Sequence, residues 1–298
     1  MKKVLIIISL CTAVATTLFG GTKGKKPIKN NDMTTTSTSL RKDVNKPFYR
    51  IDFKAGACFF DIKINDISVM SMNMERYFSM TIPVNYLIPE SGKQRLSVTV
   101  LPNTGETVFD ENIIFAMTVQ LYDDTGDALK HVEDILEYRI PNDRENMIEY
   151  QTTFDVTVPY QLTAWQTSTD LNTVDHLREK LESAYQKVGD MIRQKQYDAI
   201  INSMREWEKR IATSMYLGKE ESDARMGRLI EDFKNGFEPV PLSGTETMHV
   251  YADGKLACLK TEDGESALRF WNKETEEEMT LDMMFHLKKG DVELSIAP

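Results

Sequence analysis

Apolar and polar positions alternate with a period of two through the first half of the chain, then switch to a helical period soon after residue 172. Alternating segments fall at residues 48–53, 60–64, 77–82, 95–101, 112–122, 135–140 and 152–158. Between them stand turn-forming residues: Asn65-Asp66, the Pro89-Glu90-Ser91-Gly92 loop, Pro102-Asn103-Thr104-Gly105, and the acidic run Asp123, Asp124, Thr125, Gly126, Asp127. Short strands at this spacing, each with one apolar face, predict an all-β sandwich over 48–171.

Beyond Asn172 the apolar residues recur three and four apart. Leu177, Leu181, Ala184, Tyr185 and Val188 mark one helix. Ile200, Ile201, Met204, Trp207, Ile211 and Met215 mark a second, over 197–217, and Met226, Leu229, Ile230 and Phe233 a third, over 219–234, stopped by Asn235-Gly236. After Pro239 and Pro241 the period returns to two, with Asp253-Gly254 and Asp263-Gly264 as hairpin turns and Lys288-Lys289-Gly290-Asp291 before a last strand. Helices followed by a meander predict an α+β domain over 172–298.

Residues 1–20, MKKVLIIISLCTAVATTLFG, have a basic head, a short apolar run and small residues near Ala13 and Ala15, the layout of a secretory signal peptide. Export to the periplasm is the expectation. Cys11 offers a lipoprotein as the lesser alternative, but the bulky Leu10 stands where a small residue is expected before it. The apolar run is shorter than a bilayer span, and no later segment is long enough to be one. Residues 21–47 carry Lys, Asn, Thr and Ser with little to bury, and read as a flexible basic linker.

Charge sharpens this picture. The chain carries −10 overall, but removing the basic residues 1–47 leaves −17 on residues 48–298. A field of that sign repels nucleic acid and favours basic partners. Three cysteines exclude a disulfide scaffold. Cys58 and Cys258, one in each half, stand either as a disulfide across the halves or as two buried thiols.

Catalytic equipment is sparse. The four histidines (His131, His176, His249, His286) form no metal-ligand spacing, and no nucleophile elbow, phosphate loop or dinucleotide turn occurs. The expectation is therefore a protein that is not an enzyme and needs no cofactor or metal. Asp123, Asp124 and Asp127 lack the loop spacing of a calcium site. Together with Trp271, Glu274, Glu276, Glu277 and Glu278 they are the candidate partner-binding residues: acidic turns, one with an aromatic beside it.

Three stretches resemble known families. Segment 82–100 is similar to loops of jelly-roll and carbohydrate-binding modules. Segment 187–201 (KVGDMIRQKQYDAII), with the helix-then-meander order around it, resembles the cystatin-like cone of nuclear-transport-factor-type domains. The ending GKLACLKTEDGESALRFWNKETEEEMTLDMMFHLKKGDVELSIAP resembles that of uncharacterised periplasmic proteins encoded beside type VI secretion effectors. That last resemblance implies an immunity protein, which binds and occludes a cognate secreted toxin. The alternative expectation is a periplasmic or surface module that captures a glycan or small ligand.

Overall fold

The structure is a computed structural model that describes residues 4–7, 44–141, 146–262 and 264–298. The rest of the expected leader and residues 21–43 of the expected linker lie outside the described residues, as does Asp263 of the second Asp-Gly turn. The chain is mostly β, as its alternation predicts. Val4–Ile7 (β1) runs parallel to a strand near the other end of the chain, Glu277–Thr280.

The sandwich contains Pro47–Gly56 (β2), Cys58–Ile64 (β3), Ile67–Met74 (β4), Phe78–Pro83 (β5), Gly92–Leu101 (β6), Ile114–Asp124 (β7), Leu129–Arg139 (β8) and Ile148–Val156 (β9). They form two antiparallel four-stranded sheets in the orders β5-β2-β7-β8 and β4-β3-β6-β9. Inward positions are filled by Ile51, Phe53, Phe115 and Val119 from one sheet and Phe60, Ile62, Val98 and Val100 from the other, all buried. Phe53 and Phe60 meet across the sheets with ring centroids 5.2 Å apart. At the far side Tyr138 of β8 stacks on Tyr150 of β9 at 4.0 Å, so these two edges lie together. Asn65 and Asp66 both take positive φ, 52° and 62°, as a two-residue hairpin turn requires.

The sequence pattern did not mark β4. Its inward residues include Met70, Met72 and Met74 rather than β-branched side chains, which weakens the strand signal. The remaining strands fall within a few residues of their expected positions, except that β8 begins at Leu129, six residues before the expected 135.

Three helices follow: Leu177–Arg193 (α1), Tyr197–Ser214 (α2) and Lys219–Lys234 (α3). Each buries the apolar stripe read from its spacing, except that Ile201 of α2 faces solvent. They pack with Phe237–Pro239 (β10), Thr247–Tyr251 (β11), Leu256–Lys260 (β12), Arg269–Asn272 (β13), Glu277–Thr280 (β14), Phe285–His286 (β15) and Ser295–Ile296 (β16). The meander is shared between two small sheets, β1-β14-β13-β10 and β11-β12-β15-β16.

Strand β12 joins the halves. All five of its residues are buried, and alternation sends them to different cores. Leu256 and Cys258 pack in the sandwich core, whereas Ala257 and Leu259 pack among the helices. The turn before β12 is held from both sides. The Ala252 amide donates to the Asp66 carbonyl, and the Leu171 amide donates to the Gly254 carbonyl. Elsewhere along the junction the Arg210 guanidinium donates to the Tyr86 carbonyl at 2.9 Å and lies over the Trp165 ring.

Candidate functional site

Trp271 is the centre of the more distinctive acidic surface. Alternation in β13 buries Phe270 and Asn272 against the helices and turns Arg269 and Trp271 outward. Register then places Glu278 of β14 opposite Trp271 on one side and Glu238 of β10 opposite it on the other. Directly opposed residues share a face of the sheet. The indole, 37% exposed, therefore lies between two carboxylates. Arg269 bridges to Glu278 at 3.2 Å and fixes that side chain in place, while Glu238 stays exposed.

The turn that follows is anchored to the helical core. The Asn272 side chain accepts from the Glu274 and Thr275 amides and donates to the Asn235 carbonyl at the end of α3. Glu274 and Glu276 stand exposed in this turn, Glu276 with a φ of 56°. Glu277 does not join them. It pairs with Asn272 and faces α3, where Asp232 is held above the usual carboxylate range by partial burial and by Glu231 and Glu277 nearby.

The other acidic run does not come to the same place. Asp123, Asp124 and Asp127 belong to the β7–β8 hairpin of the sandwich. Asp124 accepts from the Gly126 amide at 2.9 Å and so braces its own turn. The carboxylate of Asp124 acts on Tyr216, just before α3 begins, whereas the Trp271 turn is tied to the last residues of that helix. Sixteen helical residues separate the two places, roughly 24 Å along the axis.

A cleft at the junction of the halves holds the remaining polar candidates. Tyr86, Ser68, Arg210, Asp282 and the C-terminal Pro298 line it together with apolar neighbours, around a free volume of about 70 Å³. That is well under the ~300 Å³ at which small-ligand pockets begin. Asp282 is exposed to solvent at this cleft. His249 is lowered by partial burial and by Lys260. His286 is pushed down to about 4 by burial and by Lys288, and its Nδ1 lies 2.7 Å from the Ser168 hydroxyl.

Among the described residues, Cys58 and Cys258 are free and buried. Burial raises Cys58 to about 11 and Cys258 to about 12, the behaviour of inert core thiols. Among the described residues, no group of three or more His, Cys, Asp or Glu side chains converges as a metal site would require. No helix among them is long and apolar enough to cross a membrane.

The sequence singled out Trp271 and Glu278 but not Glu238. That residue sits in a three-residue strand flanked by Pro239, and its position opposite Trp271 follows only from long-range register. Comparison with protein-family models, curated proteins and solved structures finds no match.

Proposed function

We propose that the chain is an exported binding protein that neutralises a cognate secreted antibacterial effector by covering it, as an immunity protein does. The observation that carries this reading is the exposed Trp271 held between Glu238 and Glu278 on an outward sheet face. An aromatic ring beside carboxylates takes a lysine or arginine side chain: the ring contributes dispersion and cation–π attraction, and the carboxylates pair with the charge. The −17 charge of residues 48–298 would steer a basic partner toward the surface and speed encounter.

On this reading the leader takes the chain to the periplasm, where it meets the incoming toxin. Its removal takes β1 away and leaves β14 with a free edge beside Trp271. Affinity capture from cells that carry the neighbouring effector gene tests the proposal. The expected result is recovery of one basic effector, with an association rate that falls as salt rises. Trp271→Ala should weaken the complex by about 2 kcal/mol or more. Failure to recover an effector, or equal binding by Trp271→Ala and Glu238→Lys, would sink it.

A further inference from the structure

Among the described residues, β14 is paired on its outer side by β1. The sheet order is β1-β14-β13-β10, and the register sets Val4, Leu5, Ile6 and Ile7 parallel to Glu277, Glu278, Met279 and Thr280. Residues 4–7 belong to the expected leader, so on the exported reading proposed above the processed chain lacks them. The outer row of β14 amides and carbonyls is then open, and such an edge is a template for another extended chain.

The pairing with Val4–Ile7 establishes that this edge admits a parallel strand. The residue types of β1 nevertheless match it poorly. All four are aliphatic, whereas β14 offers two carboxylates and a hydroxyl, and only Ile6 stands opposite an apolar residue, Met279. A residue added opposite Glu278 shares its face of the sheet, because positions in register point the same way. That face already carries the row Glu278, Trp271, Glu238. Arg269 engages Oε1 of Glu278 at 3.2 Å, and a carboxylate has further lone pairs for a second cation.

Thr280 adds a second preference. It is 6% exposed, and among the described residues its Oγ1 has no hydrogen-bond partner. A buried hydroxyl left without a partner costs stability, and an aliphatic residue opposite it cannot supply one. A serine, threonine or asparagine there can. Met279, wholly buried in the helical core, favours an aliphatic residue opposite it.

We propose that β14 is a strand-addition site whose occupant in the processed chain is a parallel segment of a basic protein partner, with Lys or Arg opposite Glu278, an aliphatic residue opposite Met279 and a hydroxyl or amide side chain opposite Thr280. The site rests on the binding reading above and adds how the partner is gripped. Main-chain hydrogen bonds to the edge supply affinity, and the side chains at alternate positions supply specificity. The incoming cation extends the acidic row by one strand, roughly 4.8 Å beyond Glu278. A second copy of this chain is a poorer occupant, because it would set Glu277 and Glu278 of one edge against those of the other, on bodies of −17 each.

The test uses the chain without residues 1–20, labelled on backbone nitrogen and methionine methyls, and the synthetic peptides Ser-Val-Lys-Ile-Thr-Ser and Ser-Val-Glu-Ile-Thr-Ser. The lysine peptide should move the amides of 277–280, the Met279 methyl and the Trp271 indole, and leave the buried Met117 of the sandwich in place. It should bind about tenfold more tightly than the glutamate peptide, and Glu278→Lys should reverse that order. The peptide comparison stands even if Glu278→Lys fails to fold, since it leaves the protein unchanged. The full chain, whose own Val4–Ile7 hold the edge, should bind the lysine peptide more weakly than the processed chain does. Amides of 277–280 that stay unmoved, equal binding of the two peptides, or a dimer formed on removal of residues 1–20 would each overturn the proposal. An effector recovered by capture while the peptides leave β14 unmoved would remove the strand-addition site alone. Peptide binding at β14 with no effector recovered would uphold the site and sink the immunity reading.

Discussion

The hydroxyl of Tyr185 holds both backbone groups of Leu259: it accepts from the Leu259 amide at 2.9 Å and donates to the Leu259 carbonyl at 3.3 Å. The arrangement matters because β12 pairs with β15 only at Ala257, so Leu259 has no β15 residue opposite it. Helix α1 supplies the acceptor for the Leu259 amide through a buried phenol, whose pKa burial raises well above the usual tyrosine range, while the Leu259 carbonyl also accepts from the Ala267 amide at 3.0 Å. Tyr49 plays the same part in the sandwich, with its hydroxyl on the amide and carbonyl of Thr157.

Tyr185→Phe removes one oxygen and leaves the ring packing against Phe285 unchanged. The Leu259 amide is then buried without this acceptor. The expected loss is about 1–3 kcal/mol in urea unfolding. No measurable loss would mean that water reaches this amide when the hydroxyl is absent.

Gly254 is the second structural test. It takes a φ of +85°, and a Cβ there would overlap the side chains of Asp170 and Asn172. Both neighbours are fixed, since Asp170 accepts from the Asn172 amide and the Gly254 carbonyl accepts from the Leu171 amide. Gly254→Ala should therefore destabilise the chain by about 1–3 kcal/mol, measured as a fall in unfolding midpoint. Gly105→Ala is the control, since it shares a positive φ but has open space around it, and the smaller penalty is expected there.

These two residues also show what the sequence made legible. Asp253-Gly254 announced a turn, and the helical spacing of Leu181, Tyr185 and Val188 announced an amphipathic helix with Tyr185 on its buried stripe. Both are local signals, and both are correct in the structure. What they contact is not local: Gly254 meets Asp170 and Asn172, and Tyr185 meets Leu259 seventy-four positions away. The candidate surface divides the same way. Trp271 and Glu278 share one hairpin and were read together, whereas Glu238 arrives from a strand too short to carry a period. Strand β4 was missed for a chemical reason, since the methionines in its alternation carry little β preference.

The two buried thiols give a simple chemical prediction. Burial holds Cys58 near 11 and Cys258 near 12, so neither forms thiolate at neutral pH while the chain is folded. A chain from which residues 1–20 have been removed should give no rapid reaction with a disulfide reagent. In denaturant it should release two thiols. A fast native reaction would show that one of these strands opens to solvent, and fewer than two thiols on unfolding would show a disulfide.

Acid stability should depend on His286. The residue is 3% exposed, and burial together with Lys288 lowers it from 6.5 to about 4, with Asp291 opposing. Below pH 6.5 the unfolded chain binds a proton that the folded chain refuses until about pH 4. The unfolded state therefore gains from acid, and the contribution of His286 to stability falls as pH falls through that window. Between pH 7 and pH 5 the loss is about 2 kcal/mol. His286→Gln removes the titration while keeping a polar group opposite Ser168, so the stability gap between the parent and this variant should shift toward the variant by that amount. Urea unfolding of both chains at pH 7 and pH 5 reads the shift directly. A constant gap would mean that the folded chain admits the proton, with Ser168 and Asp291 together stabilising the imidazolium.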